Sequence, residues 1–78
     1  MKTKIEYWDN GNVYSIINKN EKGQLHGEYK RFHDNGQLWE HCFYEHDKLH
    51  GRLFGFDRLG KLIYYGIFKD GECLEEHK

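Results

Sequence analysis

An internal period constrains this chain more than any other feature. Asn35-Gly36 separates two runs rich in aromatic and apolar residues, one ending in Tyr29-Lys30-Arg31-Phe32 and one beginning with Leu38-Trp39. An Asn-Gly pair so flanked is a strong β-hairpin signal, because a type I′ turn needs positive φ at both central residues. Asp9-Asn10-Gly11 upstream and Arg58-Leu59-Gly60 downstream repeat the turn, with the three glycines 25 and 24 residues apart. A second mark, Leu25-His26-Gly27, returns 24 residues later as Leu49-His50-Gly51. Two independent marks with one period define a repeat protein, whose units bury their apolar faces against neighbouring units.

The 78 residues form one unit, 1–78, with repeats at approximately 3–26, 27–50 and 51–76. Strands are expected at 2–8, 12–18, 25–33, 37–44, 49–57 and 61–68, with a last short one from Glu72. Polar turns join them, and the longest, Asn18-Lys19-Asn20-Glu21-Lys22-Gly23, carries the extra residue of the 25-residue spacing. Short connections force antiparallel neighbours. The expected fold is therefore all-β, a single-layer antiparallel meander of about three hairpin repeats with six or seven strands. Five Phe, six Tyr, two Trp, nine Gly and no Pro suit strands joined by tight turns.

A two-residue loop at Asn35-Gly36 would set Phe32 opposite Trp39, Arg31 opposite Glu40 and Tyr29 opposite Cys42. The same rule pairs Tyr7 with Tyr14, Ile5 with Ile16, Phe56 with Ile63 and Phe54 with Tyr65. It also sets small residues against large ones, as in Gly55–Tyr64, Leu53–Gly66 and Gly51–Phe68, where a glycine leaves room for a ring. One face would then carry Tyr7, Tyr14, Phe32, Trp39, Phe56 and Ile63. The other would carry Val13, Leu38, Leu62, Tyr29, Tyr44, Tyr64 and Phe68, mixed with Arg31 and Glu40. A three-residue bulged turn would shift the register by one and exchange the faces. In either register a single layer cannot bury both faces by itself.

The charged residues argue against several function classes. Twelve Lys and Arg balance thirteen Asp and Glu, a formal charge of −1, so nothing draws in a polyanion as a bulk property. Lys2, Lys4, Lys30, Arg31, Arg52 and Arg58 alternate with aromatics, a pattern suited to stacking single-stranded nucleic acid, but the interspersed acids oppose it. No run is apolar enough to suggest a membrane span. His26, His33, His41, His46, His50 and His77 fit no zinc spacing, so neither metal nor cofactor is expected. Cys42 and Cys73 occupy unmatched repeat positions, and no secretory signal opens the chain, so both are expected as free thiols in a cytoplasmic protein. Glu28, Glu40 and Asp57 are candidate carboxylates and Cys42 a candidate nucleophile, but no Ser–His–Asp or Cys–His signature surrounds them. The expectation is that the chain is not an enzyme.

The run from Gly27-Glu28-Tyr29 through Phe32 to Asn35-Gly36-Gln37-Leu38 resembles the variant MORN repeat of bacteria. Phe68-Lys69-Asp70-Gly71 is similar to the turn that closes such a repeat, and the two Leu-His-Gly marks to the joins between repeats. The third copy departs from the pattern in having Leu59 in place of Asn. The resemblance implies a strip of antiparallel hairpins and a binding role, with no catalytic motif to carry over. Short bacterial members resemble a family labelled as antitoxins, and related repeats occur in phages and large viruses. The expectation is a non-catalytic module that neutralises one protein stoichiometrically. Its partner would be a toxin, a nuclease or another defence effector, and the chain would act as an antitoxin or as a phage-encoded inhibitor of host defence. Arg31, Trp39, Tyr44, Tyr64, Phe32 and Phe54 are the candidate protein-binding residues, since exposed Trp, Tyr and Arg are enriched at interface hot spots. The alternative is a structural scaffold that self-associates, its open strand edges pairing into homodimers.

Overall fold

Every turn signal closes a hairpin in the computed structural model, which describes residues 2–77. The strands are β1 (Lys2–Tyr7), β2 (Val13–Lys19), β3 (Leu25–Phe32), β4 (Leu38–Glu45), β5 (Lys48–Leu49), β6 (Gly51–Phe56), β7 (Leu62–Lys69) and β8 (Glu72–His77). Seven follow one another across an antiparallel sheet in the order β1-β2-β3-β4-β6-β7-β8, and the two-residue β5 also pairs with β4. The expected strand 49–57 is divided at His50, next to Gly51 with φ +96°, where the pairing with β4 shifts by two residues. The Cα trace spans 34 × 33 × 11 Å, the proportions of a single layer.

The Asn-Gly hairpins are not type I′. Asn10 and Asn35 keep negative φ, whereas Gly11 and Gly36 have φ +91° and +89°. In the central turn the Gly36 N–H donates to the His33 carbonyl (3.0 Å) and the His33 N–H to the Gln37 carbonyl (2.9 Å). This is a three-residue loop closed by a left-handed glycine. Trp8–Asn12, Asn20–Gln24 and Asp57–Lys61 close in the same way. The type I′ geometry falls at the other connections. His46 and Asp47 have φ 50° and 68° between the paired Glu45 and Lys48, and Asp70 and Gly71 have φ 51° and 85° between Lys69 and Glu72. The extra residue at 20–24 is thus the difference between a three-residue and a two-residue loop.

The longer loop corrects the expected register beside each turn. Phe32 pairs with Leu38, Tyr7 with Val13 and Phe56 with Leu62, not with Trp39, Tyr14 and Ile63. A bulge then absorbs the odd residue. Beyond it the expected pairs return: Arg31–Glu40, Tyr29–Cys42, Ile5–Ile16, Phe54–Tyr65, Gly55–Tyr64, Leu53–Gly66 and Gly51–Phe68.

Because its φ is negative, the turn asparagine needs another explanation. Asn35 Oδ1 accepts the Gln37 N–H (2.9 Å), while Asn35 Nδ2 donates to the Arg58 carbonyl of the next turn (2.8 Å). Asn10 does the same with the Asn12 N–H (2.9 Å) and the Asp34 carbonyl (2.7 Å). Two residues earlier, Trp8 Nε1 donates to the Phe32 carbonyl (3.0 Å) and His33 Nε2 to the Phe56 carbonyl (2.9 Å). Each turn is therefore clamped to the one after it. Leu59 replaces Asn in the third turn, where no later turn among the described residues could receive the clamp, and its side chain is 90% exposed.

Asn35→Gly and Asn35→Ala should each destabilise the fold by about 1 kcal/mol, since each removes two hydrogen bonds. A turn that needed positive φ at Asn35 would instead tolerate glycine. Leu59→Asn should leave the denaturation midpoint unchanged, and urea melts of the three variants test the distinction.

Candidate functional site

The two faces of the sheet differ in how far they satisfy themselves. One carries the cross-strand row Glu6–Ser15–Arg31–Glu40–Gly55–Tyr64. Glu40 is its hub: Arg31 Nη2 lies 3.4 Å from Oε1, and the Tyr64 hydroxyl donates to Oε2 at 2.8 Å. The Arg31 guanidinium sits 4.2 Å from the centroid of the Trp39 ring, and the His33 ring stacks on Trp39 at 5.3 Å. Ser15 Oγ donates to Glu6 (3.2 Å). Small residues lie beneath large ones here. Ser15 and Cys42 are each 1% exposed, and they are the fully buried side chains among the described residues. The Tyr64 ring covers Gly55 so closely that a Cβ there would fall inside it, and the Phe68 ring lies over Gly66. The core is one side chain deep.

Burial sets the titration of this face. It pushes the Cys42 thiol up to about 12, so the candidate nucleophile is a protonated, covered thiol. Burial first, and then the hydrogen bond to Glu40, push the Tyr64 phenol up to about 12. Tyr29 and Tyr44, whose rings approach to 5.4 Å, are also raised by burial.

Trp39 therefore shares a face with Arg31, which corrects the expectation that they lie on opposite faces. The bulge makes Trp39 the extra residue between the Phe32–Leu38 and Arg31–Glu40 pairs, and so brings it to the guanidinium. Four of the singled-out residues, Arg31, Trp39, Tyr44 and Tyr64, belong to this face, where Arg31 Nε is buried without a hydrogen-bond partner. Phe32 and Phe54 belong to the other.

That other face carries the rows Tyr7–Val13, Phe32–Leu38 and Phe56–Leu62 near the turns, and Ile5–Ile16–Lys30–His41–Phe54–Tyr65 behind them. Phe54 lies 5.4 Å from the Tyr65 ring and 6.4 Å from His41, and His41 is 5.1 Å from Phe43. Of the exposed large apolar residues, Ile5 (46%), Tyr7 (61%), Phe43 (37%) and Leu62 (49%) lie here. Beyond the His41 row the face turns polar. His41 Nε2 donates to Glu28 (2.9 Å) with Lys30 3.7 Å away, and these contacts hold the Glu28 carboxyl below its ordinary range. Phe43, Tyr65 and His41 went unselected in the sequence, although the Phe54–Tyr65 pair, which lies beyond the bulge, was readable there.

The candidate carboxylates are not brought together: Glu28 and Glu40 lie on opposite faces, and Asp57 caps the third turn through the Leu59 and Lys61 N–H groups (2.9 Å each). Among the described residues no group of three His, Cys, Asp or Glu side chains could hold a metal ion. His26 lies against His46 at 5.2 Å and His50 beside Glu45 at 3.5 Å; the His77 side chain lies outside the described residues. Among the described residues no helix is long and apolar enough to cross a membrane.

Gly55→Ala should destabilise the sheet by about 1–3 kcal/mol, because the Tyr64 ring must lift off the strand to admit the methyl group and so gives up its hydrogen bond to Glu40. Tyr64 should also leave a signature in alkali. Its folded value near 12 exceeds its ordinary 10, so its contribution to stability is whole below pH 10 and is lost as the pH climbs towards 12. Tyr64→Phe should flatten the dependence of stability on pH in that window, as denaturant melts at successive pH values would show; an unchanged slope would exclude Tyr64 as its source.

Residues 25–46 match the family model described as MORN repeat variant. The match covers β3, the central turn and β4, the best-formed hairpin of the three. Neither a curated relative nor a solved structure matches the chain. Fold and family match together support a repeat-based binding or scaffold module.

Proposed function

We propose that the chain is a non-catalytic module of the cytoplasm that binds one specific protein and neutralises it stoichiometrically, as an antitoxin or a phage-encoded inhibitor of a host defence protein would. One observation carries this reading. The Glu40 face covers Ser15 and Cys42 and pairs its carboxylate with Arg31 and Tyr64, with Arg31 Nε buried there without a hydrogen-bond partner, while the Phe54 face leaves Ile5, Tyr7, Phe43 and Leu62 between 37% and 61% exposed. Contiguous apolar surface of that kind marks a docking site. The covered Cys42 thiol and the dispersed carboxylates support a role without turnover. Scaffolding through strand edges is less well supported, because charges stud both outer strands: Lys2 and Lys4 on β1, Glu72 and Glu75 on β8. Like charges along each edge oppose the β1–β1 or β8–β8 pairing that a two-fold edge-to-edge dimer needs.

Affinity capture from an extract of the source cell, using the tagged chain, tests the proposal. A protein retained by the wild type and by Tyr64→Phe should be lost with Phe43→Ala/Phe54→Ala, a cost of about 2 kcal/mol or more at an interface centre. The β-sheet circular dichroism of that double variant should be unchanged. Titration against the captured protein should end at a fixed molar ratio; inactivation of the target by substoichiometric chain would refute a pure binder.

A further inference from the structure

We infer that a second copy of the chain covers the Phe54 face when no other protein occupies it, forming a closed two-layer homodimer about a two-fold axis that runs along β4. The inference rests on the reading of that face as a docking surface and names its resting occupant. A single sheet lacks the second layer that would bury an apolar face, and stacked sheets supply one at a spacing of about 10 Å. The sheet is also large enough. Its 34 × 33 Å plan exceeds the ~800 Å² per partner of a standard interface.

The arrangement follows from the internal repeat. β4 is the central strand, with β3 and β6 on either side running in the same direction. Lys30 of β3 and Phe54 of β6 both pair with His41. Two residues before them stand Glu28 and Arg52, and two residues after them Phe32 and Phe56. A two-fold axis along β4 exchanges the β3 and β6 positions between copies. Phe32 then faces Phe56 of the second copy, Lys30 faces the Phe54 ring, and Glu28 faces Arg52, each contact occurring twice. The apolar rows meet each other, a cation meets a ring, and opposite charges meet at the polar margin. Arg52 suits this role because it is exposed and makes no ion pair within the monomer among the described residues. Rotation about the perpendicular in-plane axis would instead lay the apolar turn end over the polar end. A face-to-face pair of this kind closes on itself and leaves the strand edges in solvent.

Sedimentation equilibrium of the full chain across the micromolar range tests the inference, and a dimer mass is expected. Arg52→Glu places like charges at both margins and should weaken the dimer about 100-fold. The double variant Glu28→Arg/Arg52→Glu reverses both charges and should restore it, with circular dichroism confirming that every variant stays folded. A monomer at all concentrations overturns the inference, as do open-ended polymers, a dimer indifferent to Arg52→Glu, or no recovery in the double variant. The two readings fail separately. A monomer that still captures its protein through Phe43 and Phe54 removes the dimer and keeps the binding role. A charge-reversible dimer whose Phe54-face variants lose no captured protein does the opposite.

Discussion

A left-handed glycine at the end of each three-residue turn forces one residue too many into the strand that follows, and the placement of side chains depends on where that residue goes. In the β1–β2, β3–β4 and β6–β7 hairpins a bulge takes it up within two positions of the turn, so the rest pairs as though the loop held two residues, whereas the β2–β3 register shifts by two. Only side chains beside the turns change sides. Trp39 moves to the Arg31 face, and Phe32, Leu38, Phe56 and Leu62 gather on the other. A one-residue slip along the whole hairpin would have turned Glu40 and Cys42 outward and put His41 and Phe43 beneath the rings. The local bulge confines the cost of the turn to its own end of the sheet.

With no second layer, the Glu40 face has to build a core within the height of one side chain. It does so by alternating nothing with something. Gly55 and Gly66 provide floor space for the Tyr64 and Phe68 rings, while Ser15 and Cys42, small side chains of the same face, are covered by their neighbours. Burying a carboxylate there would be costly alone. Glu40 is tolerable because Arg31 and the Tyr64 hydroxyl each take one of its oxygens, and Trp39 in turn shields the guanidinium. Polar groups thus act as packing material in a place too thin for a hydrocarbon core.

The period, the strands, the antiparallel meander and the small-against-large pairs were legible in the sequence because they depend on spacing and size, which a sequence records directly. The turn type was not. Asn-Gly suits both a two-residue turn and a turn whose asparagine reaches sideways, and the choice is made by the Asp34 and Arg58 carbonyls a full repeat away. The absence of Asn at Leu59 was visible as a departure from the pattern, and in the fold its side chain is 90% exposed and bonds no later turn among the described residues. The same limit applied to the surface. Phe54 was selectable as an aromatic, but its assembly with Phe43, Tyr65 and His41 depends on the register of β6 on β4, which shifts by two residues between the Tyr44–Leu49 and His41–Phe54 pairs and is not set by the Glu45–Lys48 turn alone.

Repeats also differ in what they keep. The two joins keep Leu, His and Gly, and the glycine is required because Gly27 and Gly51 share a left-handed φ of 95° and 96°. The Phe54 face, by contrast, changes chemistry between copies at matched positions: Glu28 becomes Arg52 and Lys30 becomes Phe54. Backbone geometry does not require either exchange, since both strands pair normally at these sites. A strip of identical units would present the same charge at every step and repel its own image across a two-fold axis. Replacing an acid with a base one repeat later makes the surface complementary to itself, and it does so without altering a single hydrogen bond of the sheet. Conservation of the frame and reversal of charge on its open face are the pattern expected where the frame serves folding and the face serves contact.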